Sequence, residues 1–245
     1  MSGVSAKQEA EIALDPASTP ADIEARSFAI IDAEFPDKPF SGHAWEVARR
    51  LVHTSGDVSL VRELCLPDQA IAAGIAAVRA GAPIFTDTEM VRSGIPMRRL
   101  QAFGCRVSCI LAAEGVDALA AEKGITRTRA GMELVGNSLR GAIVAIGNAP
   151  TALLALIEHV RIHRQDVPAL VVGMPVGFVN AAESKEMLLR QRDLNALAVR
   201  GRRGGSPLAA ATVNALAVIA ARLEHFQNEN ALTDESVCVV RANEE

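Results

Sequence analysis

The last third of the chain repeats one unit three times: a short, continuously apolar run, a glycine-containing loop, and a helical run. Ala142–Ile146 leads into Gly-Asn-Ala-Pro and a helix over Thr151–His163. Ala169–Gly173 leads into Met-Pro-Val-Gly-Phe-Val-Asn and a helix over Ala181–Gln191. Ala196–Val199 leads into Arg-Gly-Arg-Arg-Gly-Gly and a helix from about Ser206 to Phe226. Strands without a polar face need cover on both sides, and strand–helix alternation runs successive strands in parallel. The expected fold is therefore α/β: one domain, a mostly parallel sheet with helices on both faces, N-terminal helices and loose polar termini.

Upstream, Thr19 reads as the cap and Pro20 as the first residue of a helix running to about Phe35. A second helix covers about Ala44–His53 and ends at Gly56, and a third covers about Pro67–Ala80 and ends at Gly81. Ala82–Thr86 and Arg106–Leu111 read as strands and Thr126–Leu139 as a helix. Residues 1–18 are a polar arm without periodicity, 19–226 the domain, and 227–245 a polar, acidic tail.

Aromatic residues make up 3% of the chain and tyrosine is absent, so the core rests on Ala, Val, Ile and Leu. The net charge of −4 leaves no overall basic footprint for nucleic acid. No uninterrupted apolar stretch reaches about 18 residues, and the first residues lack a signal-peptide core. The expectation is a cytoplasmic protein with neither nucleic acid nor membrane as partner. Yet 21 of the 25 basic residues are arginine, the side chain that grips carboxylate or phosphate with a planar fork. A compositionally biased genome, also suggested by 43 alanines, accounts for the same count. Cys105 and Cys109 lack zinc-ribbon spacing and sit among apolar residues, as buried thiols do.

In an open parallel sheet, ligands sit beyond the carboxyl ends of the strands. The three strand-to-helix loops should meet at one edge there. Arg200–Ser206 is the most informative: Gly201, Gly204 and Gly205 allow a sharp turn and close approach, Ser206 and Pro207 start a helix, and Arg200, Arg202 and Arg203 add charge. It reads as an anion site, or as a tight turn with solvated arginines. Asn148 and the amides before Thr151 read as donors or as a plain helix cap. Asn180 and Glu183 have the spacing of a variant capping box, and Lys185 lies one turn inside, either solvated or facing a ligand.

His159 and His163 stand four apart but lack the Glu of HExxH, so they read as a surface pair with no metal site expected. His53 ends an amphipathic helix, where its charged form is favoured. It is either a cap or a proton donor. Neither a GxSxG elbow nor a recognisable cysteine nucleophile occurs.

Six segments carry a resemblance: RSFAII from Arg26, RLVHTSGD from Arg50, AGAPIFTDTEMV from Ala80, AIGNAPTAL from Ala145, GMPVGFVNAAESKE from Gly173 and RGRRGGSPLAAATVNALA from Arg200. In this order, over about residues 22–220, they resemble precorrin-8X methylmutases. The resemblance implies an isomerase of cobalamin biosynthesis that moves a methyl group from C-11 to C-12 of precorrin-8X, giving hydrogenobyrinate, or acts on the cobalt-containing equivalent. It implies a homodimer, no cofactor, and a polycarboxylate tetrapyrrole as substrate and product. His53 matches the family's proposed proton donor. Arg26, Arg200, Arg202 and Arg203 become carboxylate clamps; Ser27, Asn148, Thr151 and Ser206 neutral donors; Met174, Pro175, Val176 and Phe178 walls for the ring. Thr86 and Asp87 match a motif too, with Asp87 expected to orient His53 or an arginine. The chain departs from the family's pattern before Arg26, where a tyrosine is replaced by Ala21-Asp22-Ile23. The terminal extensions are candidates for contact with a neighbouring pathway enzyme. Two rivals stand beside this reading: a corrinoid carrier without turnover, and a nucleotide- or phosphosugar-binding enzyme.

Overall fold

The computed structural model describes residues 19–242, with side chains through residue 227. The arm expected over 1–18 lies outside the described residues. The helices are α1 (Pro20–Glu34), α2 (Gly42–Ser55), α3 (Asp68–Arg79), α4 (Glu89–Ser93), α5 (Met97–Gln101), α6 (Val116–Lys123), α7 (Arg127–Leu134), α8 (Pro150–Ile162), α9 (Ala181–Leu189) and α10 (Ser206–Ala242). The strands are β1 (Leu64–Cys65), β2 (Ile84–Thr86), β3 (Val107–Cys109), β4 (Ile143–Ile146), β5 (Leu170–Gly173) and β6 (Ala196–Val199).

One six-stranded sheet forms in the order β1-β6-β5-β4-β2-β3, parallel except for β1, which pairs antiparallel with β6. The apolar runs of the sequence are the central strands. Successive side chains point to opposite faces, and both faces are covered. Ile143 and Ala145 of β4 join the core with α2, α3 and α10, while Val144 and Ile146 join the core with α8. β5 divides likewise, Leu170 and Val172 to one side and Val171 to the other.

The helix starts follow their chemistry. Thr19 caps α1, with a reciprocal bond from its own backbone N–H to Asp22, and Pro20 is the first residue. Three expectations need correction. Asn180 starts α9 in the left-handed conformation, φ 61°, without a side-chain cap bond, so the capping box with Glu183 does not form. The helix expected over Thr126–Leu139 stops at Leu134 and gives way to a 3-10 turn over Gly136–Leu139. α10 continues past Phe226 to Ala242, where a loose tail was expected; residues 243–245 lie outside the described residues. Its stretch Ser206–Gln227 is long and apolar enough to cross a membrane, but its most apolar part is mostly buried within the protein, as in a core helix.

The chain order reverses between β2 and β4. Ligand crevices in doubly wound sheets lie at such a reversal.

Candidate active site

The reversal point is filled by the chain itself. Asp87, directly after β2 and wholly buried, accepts hydrogen bonds from the backbone N–H groups of Gly147 (3.0 Å), Asn148 (2.7 Å) and Ala149 (2.7 Å) at the start of α8. Burial raises its pKa, and the three N–H groups work against that rise. These are the amides that the GNAP loop was expected to offer a ligand. Asp87 therefore orients neither His53 nor an arginine; it takes the place of a bound anion. Thr86 is also buried and donates its hydroxyl to the Thr88 carbonyl oxygen at 3.1 Å.

The open space lies one loop away, on the α2 and α10 side. A cavity of about 560 Å3 is lined by Arg50, His53 and Thr54 of α2, Met90 of α4, Gly94, Arg99 of α5, and Ser206, Pro207 and Asn214 of α10, among others. Two expected residues, His53 and Ser206, come together here from positions far apart in sequence. His53 is half-buried in the last turn of α2, which Gly56 closes. The Phe28 ring meets its imidazole edge-on. Arg50 lies one turn before His53 on the same helix face. It is paired with Glu24 of α1, whose carboxyl it holds below the usual range. Arg99 is exposed at the rim. The amino end of α10 faces the same space and adds partial positive charge. The cavity is thus ringed by two guanidinium groups, one imidazole and one helix start.

Sequence reasoning missed Arg50, Arg99, Met90 and Asn214. Arg50 had a signal, three residues before His53 inside a quoted motif. Arg99 had none, because α5 is a five-residue helix with no period to read.

The arginine loop is placed differently from expectation. Arg203 pairs with Asp57 at 2.5 Å and Glu63 at 3.5 Å, and Arg200 pairs with Glu186 at 2.7 Å. Both expected clamps are already partnered by the chain's own carboxylates. Arg202 is exposed and stacks on Phe178, 5.2 Å from the ring centroid. Gly204 sits where a Cβ would lie 2.3 Å from the Met174 carbonyl oxygen, so no other residue fits. Gly201 is exposed, and Gly205 donates its N–H to the same Met174 oxygen at 2.8 Å.

Four further expectations are corrected. Met174 is fully buried and cannot form a ring wall; its sulfur receives the Thr212 hydroxyl at 3.5 Å. Lys185 is fully buried, neither solvated nor facing the cavity. The Thr151 hydroxyl is 3.0 Å from the hydroxyls of both Thr126 and Thr128 and does not line the cavity. His159 is not a surface residue: its Nε2 lies 2.9 Å from Asp166 Oδ2, and both side chains are largely buried. Arg26, Asn148, Val176, Phe178 and Glu183 are exposed and Ser27 is half-buried, none of them lining the cavity. Among the described residues, no three His, Cys, Asp or Glu side chains group as a metal site would require.

Comparison with known proteins bears on this arrangement. A profile of the precorrin-8X methylmutase family (CbiC) matches residues 22–219. A precorrin-8X methylmutase from Sinorhizobium sp. is 46% identical over 193 residues, covering 78% of this chain and 91% of that protein. A cobalt-precorrin-8 methylmutase from Leptospira interrogans is 38% identical over 207 residues, covering 82% and 94%. The crystal structure of precorrin-8x methyl mutase from Thermus thermophilus superposes with a TM-score of 0.74 at 39% identity, covering 82% of this chain and 98% of that one. The matched span holds α2, the reversal point and the start of α10, and with them every residue of the cavity wall; the chain belongs to the precorrin-8X methylmutase family.

Proposed function

We propose that this chain catalyses the methyl shift from C-11 to C-12 of precorrin-8X, giving hydrogenobyrinate, with His53 as the proton donor. The observation that carries the proposal is the placement of the His53 imidazole in one cavity wall with Arg50, Arg99 and the amino end of α10. In its protonated form His53 hydrogen-bonds or protonates a ring nitrogen of the pyrrole that bears the migrating methyl. The conjugated ring then draws electrons more strongly, the bond from the methyl to C-11 breaks as that to C-12 forms, and the proton returns to His53. No atom enters or leaves, so the reaction needs no oxidant, reductant or group donor. The protein binds, orients and polarises. Arg99 and the α10 amino end hold carboxylates of the macrocycle rim, and Met90, Pro207, Ala210 and Val218 supply apolar surface to a ring face. The cavity is open on one side; a second copy of the chain, forming a homodimer in the cytoplasm, completes the enclosure of the macrocycle.

The test is a visible absorption spectrum of purified protein mixed with precorrin-8X, followed through several turnovers. Conversion to the hydrogenobyrinate spectrum supports the proposal. Binding without conversion favours a carrier, and the cobalt-containing substrate is then assayed before the enzyme reading is dropped. Light scattering reports the dimer. The phosphate-binding alternative rested on the Arg200–Ser206 loop, where Arg200 is already paired with Glu186 and Arg203 with Asp57 and Glu63.

A further inference from the structure

Lys185 is the most voluminous fully buried side chain among the described residues. Lysine is almost never fully buried without a partner. Its partner here is a backbone atom: from α9, Nζ donates to the Arg203 carbonyl oxygen at 2.5 Å. No carboxylate among the described residues forms an ion pair with it. Glu63 and Glu186 reach it only through their fields, and each is bound to an arginine, Glu63 to Arg203 and Glu186 to Arg200. Asp57 completes the charged surroundings by pairing with Arg203. The amine therefore serves a loop rather than a neighbouring charge.

That loop is joined at two more points to the segment before α9. The Gly177 N–H donates to the Arg202 carbonyl at 3.1 Å, and the Gly205 N–H to the Met174 carbonyl at 2.8 Å. Gly204 is wedged between them against Met174. Ser206 follows at once, with its Cα only 2.7 Å from the place a Cβ on Gly147 would take.

We propose that Lys185 is a positioning residue for the reaction: by holding the Arg203 carbonyl from α9, it fixes the Arg202–Gly205 turn and so sets where Ser206 and the first turn of α10 stand at the His53 cavity. The proposal deepens the functional reading above and rests on it for its catalytic consequence. A hydrogen bond from a charged donor is roughly twice as strong as a neutral one. Burial lowers the Lys185 pKa to about 8, against the fields of Glu63 and Glu186. Above that pH the neutral amine still reaches the carbonyl, but holds it less firmly. Loss of the charge also removes the cost of burying it. The loop therefore loosens over the same pH range in which the fold as a whole gains stability. A lysine that merely fills space would make the two move together.

The test is amide hydrogen exchange at Gly177 and Gly205, with Val172 of β5 as the core reference, in the wild type and in Lys185→Met. In Lys185→Met, protection at the two loop amides falls about tenfold or more while Val172 stays within about twofold. In the wild type the same two amides lose protection between pH 7 and pH 9 and Val172 does not; in the variant that pH dependence is absent. Turnover of precorrin-8X shows kcat/KM lowered about tenfold in the variant, and the wild-type decline in kcat/KM above pH 8 is missing from its profile. Unchanged loop protection, or equal loss at Val172, overturns the proposal. The wild-type pH comparison decides the matter even where the variant does not fold. Exchange needs no substrate, so a wild-type protein that fails to convert precorrin-8X sinks the functional reading and leaves the tether tested separately.

Discussion

The Phe28 ring meets the His53 imidazole edge-on, with centroids 5.6 Å apart and planes at 78°. The opposing charge distributions of ring face and ring edge favour this geometry. Phe28 also carries the guanidinium groups of Arg49 and Arg50, at 4.4 and 4.8 Å from its centroid. One aromatic residue of α1 thus packs against the proposed proton donor and the two guanidinium groups beside it. His53→Ala is expected to lower kcat by about 10²–10⁴-fold, the range for loss of a general acid. Its melting temperature should stay close to wild type, since the imidazole is only half-buried. Conversion at the wild-type rate would remove His53 from the mechanism. Phe28→Leu should cost several-fold in kcat without abolishing it, because the contact is worth about 0.5–1.5 kcal/mol.

Arg99 is exposed and at the cavity rim, so it carries binding without carrying the fold. Arg99→Ala should raise the substrate Kd about tenfold, from loss of a hydrogen bond between charged groups, with unfolding free energy within about 0.5 kcal/mol of wild type. A spectroscopic titration at two salt concentrations checks this. An unchanged Kd would place the carboxylates elsewhere.

Asp87 governs stability instead. Asp87→Ala leaves three backbone donors without an acceptor, at about 1–3 kcal/mol for each buried group left unsatisfied. A loss of several kcal/mol in urea unfolding is expected, with activity falling as folded protein is lost. Asp87→Asn keeps one acceptor oxygen and should fall between. A stable Asp87→Ala protein would mean that water or a free anion replaces the carboxylate, and phosphate would then raise its melting temperature.

Lys185 gives stability a pH dependence of definite sign. Its pKa is about 8 in the folded protein and 10.5 when unperturbed, as in the unfolded chain. Between those values the unfolded chain binds the proton that the folded chain has released, so stability rises with pH there, by at most about 1.4 kcal/mol per pH unit from this group. The difference in unfolding free energy between wild type and Lys185→Met isolates that slope. A flat difference from pH 8 to pH 10.5 would show that the lysine titrates normally.

The central sheet was legible in the sequence because β4, β5 and β6 are apolar at every position, a pattern that only two-sided burial explains. Thr19, Pro20 and Gly56 marked helix ends by local chemistry that needs no tertiary context. β1 was not legible: two residues carry no period, and Leu64 and Cys65 pair only because β6 presents a free edge. The motifs identified the cavity region and named His53 and Ser206, yet overstated Thr86, Asp87, Met174 and Lys185. Polar residues grouped after a strand resemble ligand contacts, but the sequence does not reveal which way each side chain turns. Asp87 and Lys185 turn inward, onto backbone groups of neighbouring loops. Arg200 and Arg203 find acidic partners on other elements, and no spacing within their own loop announces those pairings.

The carboxylate at the strand reversal also decides what this protein ignores. Cells are crowded with nucleotides and sugar phosphates, and many α/β folds capture them through free amides at the start of a helix beside the sheet. Here that socket is plugged from within by a residue that cannot diffuse away. Abundant phosphate metabolites therefore find no free amides at the start of α8.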